Sequence, residues 1–378
     1  MGPELEGRFD GDGIVRVAGD ARQRFYDARG YGYPLEGNEI ALAPVEAAHL
    51  LYRGDLEAVY DERSRSGDEN EGGNDDTEAE RLDFRSFVAR EPGDAFGVRF
   101  LVYADLRSRG FYLSPAREPW IGETLECDFA VFPRGKGPTD GVIEYPLRIV
   151  GERTDIPADA LEEGVLAVVD EESEITYFEV DRREISGTSE RSLPTGVEAD
   201  LLADRVVVWE PPLELYERTF YGQPLEGREY DEPTLQCSLV EAAHLAEREA
   251  IDIEAETVLE RGREVEGERF DRRLAVYETL RECGVVPKTG YKFGADFRTY
   301  SDVESVDDLG HSELLLRVLP ANHVFEPRDL ALDVRLAHGV RKTMVFALVK
   351  NGSEGGGRGG DRDENADIEW WSLERLTP

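Results

Sequence analysis

Apolar positions fall into two kinds of run along this chain. Alternating or continuous apolar stretches predict strands: 141–150 (GVIEYPLRIV), 164–180 (GVLAVVDEESEITYFEV), 313–319 (ELLLRVL) and 344–349 (MVFALV). Apolar residues at helical spacing predict amphipathic helices at 99–110 (RFLVYADLRSRG) and 271–284 (DRRLAVYETLRECG), each ended by a glycine suited to a left-handed cap. A shorter helix begins around each VEAAHL, where an early glutamate suits the helix dipole. Helices and strands in one chain give an α+β, or mixed α/β, class.

The pattern occurs twice. Phe25–Leu51 returns as Leu215–Ala246, sharing YG, PLEG and VEAAHL, and Val102–Gly110 (VYADLRSRG) returns as Val276–Gly284 (VYETLRECG). Two copies of about 180 residues imply a tandem duplication and not a solenoid. The expected domains are a leading α/β subdomain at 1–84 and a nuclease-like subdomain with a central mixed sheet at 85–184. A linker at 185–204 follows, then a second leading subdomain at 205–265 and a second nuclease-like subdomain at 266–378. Two acidic, Gly-rich insertions, Asp61–Arg81 and Asn351–Asp367, read as disordered surface loops.

Charge changes the picture most. Against 82 acidic residues stand 44 Lys and Arg, for a net charge of −38, and the lysines are Lys136, Lys288, Lys292, Lys342 and Lys350 alone. Such an excess of Asp and Glu with scarce Lys fits a halophile's cytosol. At roughly 1 M salt the Debye length is about 3 Å, so only contact-range charges act. No apolar run is long enough for a membrane span and the N-terminus lacks a secretory pattern, so a cytoplasmic protein is expected. Cys127, Cys237 and Cys283 have no CxxC spacing, and the histidines form no metal-ligand cluster.

Chemistry concentrates between Tyr291 and Lys342. YKFGADFRTY, HSELLLRVLP and DVRLAHGVRKTMVFALV place Tyr300, His311 and Lys342 on separate short elements expected to converge at one end of a sheet. Cleaving RNA through its ribose 2′-OH needs a base, an acid for the 5′-oxygen and positive charge against the phosphorane. An imidazolium is the natural acid near neutrality, and a phenol serves as base only beside cations. Arg298, Arg335, Arg341 and Lys342 supply such cations.

These motifs jointly resemble the archaeal tRNA-splicing endonucleases. The resemblance implies Tyr300 as general base, His311 as general acid and Lys342 as transition-state stabiliser, with no metal and no cofactor. It implies Arg335 and Arg375 as a sandwich around a flipped bulge base. It also implies cleavage of precursor tRNA at bulge-helix-bulge boundaries, leaving 2′,3′-cyclic phosphate and 5′-hydroxyl ends, by a homodimer that engages neither DNA nor membrane. In such an assembly an acidic loop docks into a basic cleft of the partner, and Asp170, Glu171, Glu172 and Glu174 match it. Aligning the two halves sets Phe132, Val142 and Glu162 near Tyr300, His311 and Lys342, so the first half reads as a silent copy. The rivals are a non-catalytic RNA-binding subunit, which leaves RNA intact, and a metal-dependent nuclease, which a chelator stops.

Overall fold

A computed structural model describes residues 5–9, 13–62, 79–90, 95–117, 120–121, 125–189, 192–225, 227, 232–350 and 367–378. Nearly all of both acidic insertions, at 63–78 and 351–366, lies outside the described residues. The chain divides into two units, one of Met1–Thr154, Glu163–Glu179 and Leu376–Pro378, the other of Asp155–Glu162 and Val180–Arg375.

The first unit opens on a small sheet in which Glu6–Phe9 runs parallel to Ala58–Asp61 and antiparallel to Val15–Val17. Helix α1 (Pro44–Tyr52) follows Ile40–Leu42, begins on proline and buries Val45 to Leu51. Helix α2 (Phe96–Ser108) leads into β1 (Tyr112–Pro115), β2 (Phe129–Phe132), β3 (Tyr145–Gly151), β4 (Gly164–Val169) and β5 (Ile175–Arg182). β1 to β3 are antiparallel and β3 and β4 parallel, in the spatial order β5-β4-β3-β2-β1.

The second unit repeats this order. Ala199–Leu201, Arg205–Trp209, Thr234–Ser238 and Gln223–Pro224 form its small antiparallel sheet. Helix α3 (Leu239–Glu247) is entered through a full capping box: Ser238 Oγ accepts from the Glu241 N–H at 3.3 Å, and the Glu241 carboxylate accepts from Ser238 N–H at 3.1 Å. Helix α4 (Ala255–Glu266), not anticipated from the sequence, turns at Gly267 into α5 (Glu268–Glu282). Gly262 inside α4 has a packing cause: a Cβ there would lie 2.2 Å from Cζ of the buried Phe270.

β6 (Val286–Thr289), β7 (Phe297–Tyr300) and β8 (Leu314–Pro320) are antiparallel neighbours. α6 (Pro327–Gly339) then crosses over to β9 (Thr343–Val349), parallel to β8, and β10 (Ile368–Leu376) returns antiparallel. Leu330, Val334 and Ala337 form the buried stripe of α6. Of these, buried Leu330 and Val334 each contribute about 1.5–3 kcal/mol. The stripe fixes which way the helix end faces, and that end leads to Lys342.

The VEAAHL repeat encodes a buried polar cluster in each unit. Tyr31, His49, Tyr103 and Arg107 surround Glu46 in the first, and Tyr221, His244, Tyr277 and Arg281 surround Glu241 in the second. Each arginine lies 3.9 Å over its tyrosine ring. The two glutamates differ in one partner. Glu241 receives the Lys288 ammonium at 2.6 Å, whereas the position matching Lys288 on β1 is Ser114. Burial pushes the Glu46 carboxyl up to about 7, only partly offset by N–H bonds from Gly32 and Ala43 and by the Arg107 charge. Glu241 is buried too, but Lys288 overrides that penalty and holds its carboxyl below the usual range.

This asymmetry gives a pH signature. Folded Glu46 keeps a proton between its ordinary 4.5 and about 7, so its contribution to stability falls as pH rises through that window. Burial, then Arg107, drives His49 down to about 4, so its contribution rises between about 4 and 6.5. The two slopes oppose each other in the first unit. Glu46→Gln removes one of them, and the stability of the variant relative to wild type is expected to increase as pH goes from 5 to 7.5, by up to about 3 kcal/mol. Chemical denaturation across that pH range checks this. A difference independent of pH would refute it.

Candidate active site

Strand register gathers Tyr300, His311 and Lys342 at one end of the second unit's sheet. Tyr300 closes β7 opposite Val286, and the Glu313 N–H, just before β8, donates to Thr299 O at 3.1 Å. Lys342 immediately precedes Thr343, which pairs with Leu314 at the start of β8 and donates its N–H to Glu313 O at 3.2 Å. The end of β7 therefore abuts the starts of β8 and β9. His311 lies on the connection between Tyr300 and β8, next to Ser312.

Local structure explains how each side chain is held. Tyr300 is only 8% exposed, with its ring packed 5.8 Å from Phe220 and beside Val286 and Val303. Arg298, on the same face of β7, places its guanidinium 5.8 Å from the Tyr300 ring. The Lys342 ammonium donates to the Ser312 carbonyl, tying the His311 segment to the start of β9, and sits 5.8 Å over the Phe293 ring. Burial, then the neighbouring Arg298 charge, lowers the Lys342 pKa, with Glu313 acting the other way. His311 is exposed.

The backbone of Lys342 is also fixed. Its N–H donates to Ala337 O at 3.0 Å, the Arg341 N–H donates to His338 O at 3.0 Å, and Arg341 has φ +57°. This is a Schellman cap on α6 with arginine where glycine is usual.

Arg375 and Arg335 are both exposed. Arg375 follows Glu374, whose carboxylate accepts from Thr343 Oγ1 at 2.8 Å, so it falls beside Lys342 in the β9–β10 register. Arg335 lies on α6, one turn before its end and on the side away from the buried stripe. Among the described residues of this unit, Arg248, Arg263, Arg269, Arg273 and Arg317 are ion-paired. Arg298, Arg335, Arg341, Lys342 and Arg375 have no carboxylate within ion-pair distance among the described residues. In a chain with nearly twice as many acids as bases, these cations, which have no carboxylate partner among the described residues, are available to an anion.

Matching the registers of the two units reproduces the alignment of the halves. Phe132 pairs with Tyr112 as Tyr300 pairs with Val286. Counting back from Leu147 and Leu316, which occupy equal positions, sets Val142 against His311, and counting from Val165 and Val345 sets Glu162 against Lys342. The acidic loop Asp170–Glu174 is a tight turn between β4 and β5. Asp170 is turned inward, accepting from the Glu172 and Glu174 N–H groups at 2.9 and 2.8 Å. Glu171 pairs with Arg153, and Glu172 and Glu174 are exposed without such a partner.

A phenol, an imidazole and an ammonium, near arginines that have no carboxylate partner among the described residues and at one end of a sheet crossed over by one helix, form a set able to do acid/base chemistry at a phosphate. Comparison with known proteins names the family. The profile of the tRNA intron endonuclease catalytic C-terminal domain matches residues 270–355, and that of the tRNA intron endonuclease N-terminal domain matches both 5–69 and 197–263. The chain is 55% identical to a tRNA-splicing endonuclease of Haloarcula marismortui over 99% of its length and all of the relative. It is 53% identical to one of Halobacterium salinarum, with the same coverage, and 35% identical to one of Methanococcoides burtonii, covering 89% of this chain and 93% of that one. The chain belongs to the tRNA-splicing endonuclease family and is an enzyme of that class.

Sequence reading missed Phe220, Phe293 and the Ser312 carbonyl. Phe293 and Ser312 lie inside the quoted motifs, but nothing in residue type announces contacts made through packing or the backbone.

Proposed function

We propose that the chain cuts precursor tRNA in the cytoplasm at bulge-helix-bulge boundaries, by in-line attack of the ribose 2′-OH. Tyr300 takes the hydroxyl proton, His311 protonates the departing 5′-oxygen, and Lys342 offsets the charge of the phosphorane. The products are a 2′,3′-cyclic phosphate and a 5′-hydroxyl, and no metal or cofactor takes part. Arg335 and Arg375 hold the displaced bulge base between their guanidinium planes. Two chains act together, the first half of each serving architecture, and the Asp170–Glu174 turn carries the acidic contact to the partner through Glu171, Glu172 and Glu174. Asp170 shapes that turn.

The observation that carries this reading is the convergence of Tyr300, His311 and Lys342 at one sheet end among cations left without carboxylates. Cleavage of an end-labelled bulge-helix-bulge RNA in high salt with excess EDTA tests it. Full activity and cyclic-phosphate ends are expected. Loss of cutting in EDTA with recovery in Mg²⁺ would replace it with a metal mechanism, and binding without cutting in either buffer with an RNA-binding subunit.

A further inference from the structure

The two units share one backbone shape before their YG motifs, yet build it from different residues. Gly30 N–H donates to Tyr26 O at 2.8 Å and Tyr31 N–H to Phe25 O at 3.0 Å; Phe220 and Tyr221 make the same bonds to Tyr216 and Leu215 at 2.9 and 3.0 Å. Gly30 has φ +63° and Phe220 φ +54°. Glycine holds that conformation at no steric cost, whereas a bulky aromatic there is an outlier, strained by about 1–3 kcal/mol. A strained residue of this kind persists only where its surroundings hold it.

The exchange is concerted. In the first unit a Cβ on Gly30 would come 3.1 Å from Cδ2 of Tyr112, whose ring fills the space. The matching residue in the second unit is the smaller Val286, and the Phe220 ring enters instead, 5% exposed. What it meets is Tyr300, at 5.8 Å and 59°, where the first unit has Phe132. Lys288, matching Ser114, fastens the strained segment: its ammonium donates to the Phe220 and Gly222 carbonyls at 3.2 and 3.0 Å, pairs with buried Glu241 and lies 4.8 Å from the Phe220 ring. The chain of contacts from Glu241 through Lys288 and Phe220 to Tyr300 exists only in the unit that carries the reactive tyrosine.

We propose that Phe220 is a positioning residue for the reaction: its ring backs the Tyr300 ring and fixes where the phenol hydroxyl meets the 2′-OH, and the strained backbone is kept for that purpose. This rests on Tyr300 acting as the base. A displacement of about 1 Å at a reacting group can cost 10²-fold. Backbone strain and ring contact can be separated by substitution, because glycine removes both while alanine removes the ring and keeps most of the strain.

The test is single-turnover cleavage of the bulge-helix-bulge RNA by Phe220→Gly, Phe220→Ala, Phe220→Leu, Tyr300→Phe and the double variant Tyr300→Phe with Phe220→Ala, with RNA affinity and thermal midpoint measured on each. Glu249→Gly is the control: Glu249 has φ +54° where the first unit has Gly54, and it is exposed. Phe220→Gly and Phe220→Ala are expected to cleave at least about 10-fold more slowly at unchanged RNA affinity, Phe220→Leu to return within a few-fold of wild type, and Phe220→Ala to cost nothing more once Tyr300 is Phe. Phe220→Gly should melt no lower than Phe220→Ala, and Glu249→Gly should be fully active. Wild-type rates in Phe220→Gly and Phe220→Ala, or rate losses that only follow the fraction unfolded, would overturn the inference while leaving an inert Tyr300→Phe, and so the reading of the site, intact. Wild-type cleavage by Tyr300→Phe would overturn both.

Discussion

Replacing His311 with alanine is expected to slow cleavage by about 10²- to 10⁴-fold while RNA affinity and thermal midpoint stay at wild-type values. The side chain is exposed on a connection, so its removal opens no cavity and breaks no buried bond, and a stability change within about 0.5 kcal/mol follows. On the proposed mechanism, what is lost is the proton donor at the 5′-oxygen. The assignment can be checked beyond a rate, because a substrate with sulfur in place of that bridging oxygen leaves as a thiolate, of pKa about 8.5, and needs no acid. His311→Ala should therefore cut the sulfur substrate at nearly the wild-type rate. Equal losses on both substrates would move His311 out of the acid role.

Lys342→Ala is expected to cost about 10²- to 10³-fold in the chemical step, with little change in RNA affinity. The ammonium is aimed by the Ser312 carbonyl and stands near Arg298, with Glu313 nearby but no carboxylate within ion-pair distance among the described residues, so its charge is available to an incoming phosphate. Lys342→Arg should recover only part of the rate. A planar guanidinium cannot take the place of a compact ammonium pointed by one carbonyl. A loss in Lys342→Ala that appears as weaker, salt-dependent binding at an undiminished maximal rate would make the residue a phosphate anchor.

The convergence of Tyr300, His311 and Lys342 at one sheet end was legible because each sits in a dense local motif, and because side-chain direction alternates along strands. A register set by buried aliphatics such as Leu316 and Val345 leaves a residue a fixed number of positions away little freedom. That is why comparing the halves found Phe132, Val142 and Glu162 at the matching positions. The polar cluster around Glu46 and Glu241 was not legible. A glutamate in a helix's first turn reads as a dipole partner, and only the folded chain shows that Glu46 is fully buried and lacks the lysine Glu241 has. Phe220 escaped for a related reason: positive φ is announced in sequence by glycine, and here the glycine had been replaced. Asp170 looked like one of four equal surface acids, but its carboxylate is used by the turn itself.

The Schellman cap makes the last turn of α6 the backbone mount of Lys342. Helix ends fray at low free-energy cost, and the last turn of α6 is held by the Lys342 and Arg341 N–H groups, with Arg341 in a conformation glycine would adopt more readily. Opening of that turn would release the Lys342 backbone and loosen the aim of its ammonium at the Ser312 carbonyl. The hold on Lys342 is thus only as firm as the last turn of α6.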